Sequence, residues 1–191
     1  MKKIILIAIA LIGSHGFAQQ RLTITNNSSY TFEAGQINTY QRITPTYTEC
    51  PERNHYYYGS VESFDVPPGE SRGFGNPNPG DNFPFHNSLS SYVQNWSKWT
   101  IAPGNPCSRS FTFVTSLEAW QSPTRVQDFN NIKFGIKNAS GATIMSGNIG
   151  TGVITGANSS GFPTSIAGVV NITYTQVITG TLTEHKVLIT N

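Results

Sequence analysis

The chain has 191 residues, with twelve Lys or Arg side chains against ten Asp or Glu and only 12% of residues charged. Lys2 and Lys3 fall in an N-terminal leader, so the remainder balances at net zero and has no basic cluster. That excludes the usual electrostatic basis for binding nucleic acid, where affinity comes largely from neutralised phosphates, and for attachment to anionic lipid.

Residues 1–18 read as a secretory signal peptide. Lys2 and Lys3 form the basic start, Ile4 to Ile12 the apolar core, and Gly16 and Ala18 the small residues of a cleavage site before Gln19. The apolar core is far short of the ~20 residues that span a bilayer, so no transmembrane segment is expected in the mature protein. Residues 19–191 are expected to form one exported domain, periplasmic or extracellular, long enough to bury a sizeable core.

Beyond the leader, short extended segments alternate with Gly, Pro, Asn and Ser, and helical periodicity is nearly absent. "RLTIT" sets Leu22 and Ile24 on one face and Thr23 and Thr25 on the other. "NNSS" then reads as a turn before "YTFEAGQI". Pro45 in "RITPTYT" suits an edge strand or a bulge. "HYYYGSV" and "ESFDV" lead to the turn "PPGES", and residues 73–85 read as a long loop.

Residues 87–96 allow two readings. As a helix, Leu89, Tyr92, Val93 and Trp96 share a face. As a strand, Tyr92 and Trp96 lie opposite Val93, Trp99 and Ile101. "SKWTIA", "SRSFTFVT", "RVQDF", "IKFGIKN", "ATIMSG" and "GVITG" follow as further strands. The pattern predicts about ten to twelve strands in an all-β antiparallel sandwich or jelly-roll-like fold, with at most one short helix.

From Asn138 to Thr183 no side chain is charged. Within this run, "VVNITYTQVIT" and "TLTEHKVLIT" are expected to pair as a hairpin turning at Thr179-Gly180. Ile172, Tyr174 and Ile178 would then pack on the second sheet. A membrane-inserting hairpin needs a lipid face free of charge, and Glu184 and Lys186 share a face with Leu182 and Leu188. "NITYTQVIT" has the β-propensity and neutrality of a zipper-forming segment, which is safe as a central strand paired on both sides.

Cys50 and Cys107 are the only two cysteines. In an oxidising destination they read as a disulfide, closing a loop of about 57 residues and contributing about 4 kcal/mol. His55, His86 and His185 form no metal-ligand spacing and read as surface residues. No cofactor motif, serine-nucleophile elbow or phosphate loop is present, and no spacing selects a carboxylate pair, so the chain reads as non-catalytic.

"LTITNNSSYTFEAG" followed by "VPPGES" resembles the opening of exported β-sandwich proteins of the thaumatin-like and aegerolysin-like groups, and of small bacterial secreted proteins generally. Thaumatin-like proteins are dense in disulfides, where this chain allows a single bridge. The aegerolysin-like resemblance implies membrane activity. No functional residue carries over from either group.

Aromatic residues give the most concrete site. Tyr57, Tyr92, Trp96 and Trp120 are expected to offer flat faces among Asn and Gln, which suits the mixed CH and hydroxyl surface of a sugar ring. The leading expectation is therefore a binding module for carbohydrate or another cell-surface ligand. A secreted hydrolase and a membrane-active protein are the alternatives.

Overall fold

The computed structural model describes residues 19–42, 55–75, 93–121, 127–151, 161–180 and 182–191. The first sheet contains β1 (Gln19–Asn26), β5 (Ser71–Phe74), β10 (Ser165–Ile166), β11 (Asn171–Thr179) and β12 (Leu182–Thr190), in the order β10-β11-β12-β1-β5. The second contains β2 (Thr31–Arg42), β3 (His55–Ser60), β4 (Phe64–Val66), β6 (Asn95–Ala102), β7 (Asn105–Thr115), β8 (Asp128–Lys137) and β9 (Thr143–Gly150). Its order is β7-β6-β3-β2-β8-β9, with β4 pairing β2 beyond the end of β3. The fold is an all-β sandwich.

Alternation builds the core. Leu22 and Ile24 of β1, Ile172 and Tyr174 of β11, and Val187 and Ile189 of β12 point inward from the first sheet. They meet Phe32, Ile37, Tyr58, Trp96, Phe129, Ile132, Phe134 and Ile136 from the second. Rings join the layers directly. Phe129 stacks on Tyr174 at 5.5 Å, and Phe64 meets Phe74 at 5.3 Å. Burying such side chains contributes about 1.5–3 kcal/mol each before conformational entropy is counted.

The "NNSS" turn is held by a buried amide. Asn26 Nδ2 donates to the carbonyls of Tyr30 (2.7 Å) and Val66 (2.8 Å), while its Oδ1 accepts from the Ser28 amide (3.0 Å) and hydroxyl (2.7 Å). Both donors and both lone pairs of the side chain are thereby occupied, as burial demands.

The all-β sandwich stands as expected, while details of its layout differ. β1 pairs with β12 in parallel, so the sheets are antiparallel-rich and not purely antiparallel. A parallel pair needs a long crossover, and here nearly the whole chain supplies it. The short helix is α1 (Ser116–Gln121), outside residues 87–96. It starts with a capping box: Glu118 accepts from the Thr115 amide at 2.7 Å, and Thr115 Oγ1 accepts from the Glu118 amide at 3.2 Å. Residues 87–92 lie outside the described ones, and Trp96 belongs to β6.

The C-terminal hairpin turns at Gly180, whose φ of 61° suits a residue without Cβ. Ile178 is 69% exposed at its tip instead of packing on the other sheet. β11 is not paired along both edges either, since β10 meets it at two positions only. Of the long loop expected at 73–85, Gly73 and Phe74 belong to β5, and residues 76–85 lie outside the described ones. Among the described residues no helix is long and apolar enough to cross a membrane.

Candidate functional site

Two β-bulges shape the β2–β8 pairing of the second sheet. Between Ala34 and Gln36 the β2–β8 register slips, leaving Gly35 as the extra residue. Before the slip Phe32 and Ala34 face the core; after it Ile37 and Thr39 do. An extra residue reverses the alternation, so Gln36 and Asn38 face outward. A second slip, between Asn38 and Thr39, makes Asn130 the extra residue on β8.

On the outer face, Gln36 and Asn38 border a groove of about 770 Å³ with Ser97, Trp99, Phe111, Phe113 and Lys133. Gly59, on the neighbouring strand β3, leaves room for the two amides. A Cβ there would meet Gln36 Nε2 at 2.6 Å and Asn38 Oδ1 at 2.9 Å, so a side chain would displace both amides. Register pairs Trp99 with Phe111 and Ser97 with Phe113 across β6 and β7. Trp99 meets Phe111 at 4.7 Å and 55°, and Phe111 meets Phe113 edge-on at 4.8 Å and 82°. These rings are 41%, 43% and 67% exposed, forming a stepped aromatic surface in solvent.

The expected site residues fare differently. Trp96 is a correction: it is 1% exposed, a core residue that cannot meet a ligand. Trp96 and Trp99 are three residues apart on one strand, so they point to opposite sides. The outer one is Trp99. Tyr57 holds the β3 register position opposite Trp99. The side chains of Tyr57 and Trp120 and the whole of Tyr92 lie outside what is described. So does Cys50, while Cys107 sits exposed on β7, and no described cysteine is free.

A second concavity, a cleft of about 530 Å³, lies between the first sheet and the start of β8. His185 lies beside it, buried to 2% exposure, which corrects the expectation of a surface histidine. On β12 it alternates with Glu184 and Lys186 and so points inward with Val187. The Gln20 amide donates to the Asp128 carboxylate, so its Oε1 faces His185 Nε2, which therefore donates to it at 3.0 Å. In a neutral ring Nδ1 is then the acceptor, and Tyr174 O–H donates to it at 2.8 Å.

Burial lowers His185 to about 4, keeping it neutral at pH 7. Burial, with Tyr40 close by, also raises the Tyr174 hydroxyl above its ordinary value. A phenol held more firmly protonated is a poor nucleophile. Asp128 is the sole carboxylate among the described residues lining the cleft, whereas glycoside hydrolysis uses a pair. Among the described residues no three of His, Cys, Asp and Glu gather to hold a metal ion.

The cleft was illegible in the sequence because its members come from five strands, β1, β2, β8, β11 and β12, that lie far apart along most of the chain. In comparisons with known proteins, no family model, no curated protein and no solved structure matches this chain.

Proposed function

We propose that this is an exported, non-catalytic protein that binds glycans on the outer face of its second sheet. The observation that carries the reading is the exposed run Trp99–Phe111–Phe113 beside the amides of Gln36 and Asn38. Exposed aromatic rings gain by covering the CH faces of a sugar, and neighbouring amides satisfy hydroxyls as both donors and acceptors. Contiguous exposed rings of this kind mark an interaction surface.

Export follows from the leader, and the Cys50–Cys107 bridge belongs to the same reading. It would fasten β7, the strand that carries Phe111 and Phe113, to the segment preceding β3.

A glycan array probed with residues 19–191 tests the proposal. A binder is expected, and Trp99→Ala and Phe113→Ala should each weaken it at least tenfold without unfolding the protein. No binder, or equal binding by both variants, overturns it.

A membrane-active reading has one observation in its favour, the exposed Val177 and Ile178 at the hairpin tip. Val177 pairs with Glu184, however, and a charge beside the tip opposes insertion. Vesicle leakage should stay at background.

A further inference from the structure

The cleft beside His185 is separate from the groove, and the glycan reading does not use it. Its volume, about 530 Å³, falls within the ~300–1,000 Å³ of small-molecule sites. Its construction is costly. A neutral imidazole and a phenol are buried between two sheets and held by a chain of hydrogen bonds running Tyr174, His185, Gln20, Asp128. The amide of Phe129 adds a further bond to Gln20 Oε1 at 3.4 Å. Replacing such a network by apolar side chains is commonly neutral or stabilising, so a core alone does not require it.

The lining chemistry selects the ligand. Thr151, Thr164 and Thr183 supply hydroxyls, Gln176 an amide and Asp128 an exposed carboxylate. No Lys or Arg is among the described lining residues, and the imidazole carries no charge near neutrality. An anion would therefore meet a carboxylate without a counter-charge. An apolar ligand would strip water from hydroxyls it could not satisfy. A neutral molecule dense in hydroxyls fits both constraints, with a diol able to donate to the two oxygens of Asp128.

The rim is built to hold position. The Asn130 carbonyl, at the β8 bulge, accepts from both the amide (2.9 Å) and the hydroxyl (3.2 Å) of Thr151. Gly150 permits that approach, since a Cβ there would lie 2.2 Å from the same carbonyl oxygen. Bulges recur where a strand must re-aim a side chain at a site.

We propose that this cleft is a second binding site, taking one small neutral polyhydroxylated molecule, a single sugar residue or a polyol, against Gln20, Asp128 and the three threonines. The hydrogen-bond chain fixes Gln20, and through it Asp128, in the orientation the ligand meets.

The test is an NMR titration of the whole mature protein, watching the His185 imidazole resonances. The probes are neutral hexoses, myo-inositol and, as the anionic control, glucose 6-phosphate. At least one neutral probe should shift His185 saturably, while the sugar phosphate should not. Asp128→Asn, a change at an exposed rim position, should weaken that probe at least fivefold. Trp99→Ala should leave it unchanged, which separates this site from the groove. The proposal is overturned if no neutral probe moves His185, if the sugar phosphate binds as well, or if Asp128→Asn binds equally. Loss on Trp99→Ala would overturn it too, by assigning the response to the groove.

Discussion

Trp96 and Trp99 differ in what each would cost to remove. Trp96 fills the core, and Trp96→Ala should destabilise the protein by about 3–5 kcal/mol in chemical denaturation. Trp99→Ala removes one exposed ring pair and should cost about 1 kcal/mol, while weakening the proposed glycan binding at least tenfold. Period-two spacing was enough to set the two tryptophans on opposite faces. It could not say which face was the core, because both faces of "NWSKWTIA" carry a tryptophan among polar residues.

His185 makes a prediction of its own. Its folded value, about 4, lies below the unfolded value near 6.5, so the unfolded chain binds the extra proton between them. Stability is therefore full above about pH 6.5, falls as pH drops towards 4, and levels off below, a loss of about 3 kcal/mol. Tyr174, Gln20 and Phe129, which meet the ring, are uncharged, and Gln20 in turn donates to the Asp128 carboxylate. Urea denaturation at pH 7, 5.5 and 4 should show this slope in the wild type and a flatter one in His185→Gln. Parallel curves would contradict it.

At the scale of elements, the strands were legible wherever alternation ran unbroken, as in β1 and β12. The two bulges of the β2–β8 pair were not. Gly35 in "FEAGQI" reverses the faces of β2, and Asn130 does the same in "DFNNIKF". A bulge is set by the register of its partner strand, which a single sequence does not display. The groove's amides depend on the first bulge and the cleft on the second, which is why neither was marked in the sequence; the groove's rings, Trp99, Phe111 and Phe113, were not among the expected site residues either. Helix α1 did leave a signal, the Thr-x-x-Glu box of Thr115 and Glu118, but a single turn of helix carries little periodicity.

The C-terminal hairpin separates into a packed half and a free half. Ile172→Ala should cost about 2–5 kcal/mol, whereas Ile178→Ala should change stability by less than about 0.5 kcal/mol. Equal effects in a denaturation series would mean that the tip is packed after all. Gly150→Ala should be destabilising as well, since the new methyl collides with backbone at the Asn130 bulge and the backbone cannot swing aside as a side chain can.

For the molecule as a whole, the all-β class and the strand number follow from composition and turn spacing, whereas the closing of the first sheet does not. β1 and β12 lie at opposite ends of the chain and pair in parallel, a contact that local pattern leaves unmarked. It ties the sandwich from end to end. If Cys50 and Cys107 are bridged as proposed, Cys107→Ser should lower stability by about 2–5 kcal/mol. Thiol titration of the unfolded wild type should then find no free thiol until a reductant is added.

On the proposed reading, ligand contact falls on the outer aromatic face of the second sheet. Its most direct measurement is an NMR titration with the strongest glycan from the array, following the indole N–H signals of Trp96 and Trp99. A saturable shift at Trp99 with Trp96 unmoved is the predicted result. A shift confined to Trp96, or changes that gather at the Val177–Ile178 tip and leave Trp99 silent, would contradict it.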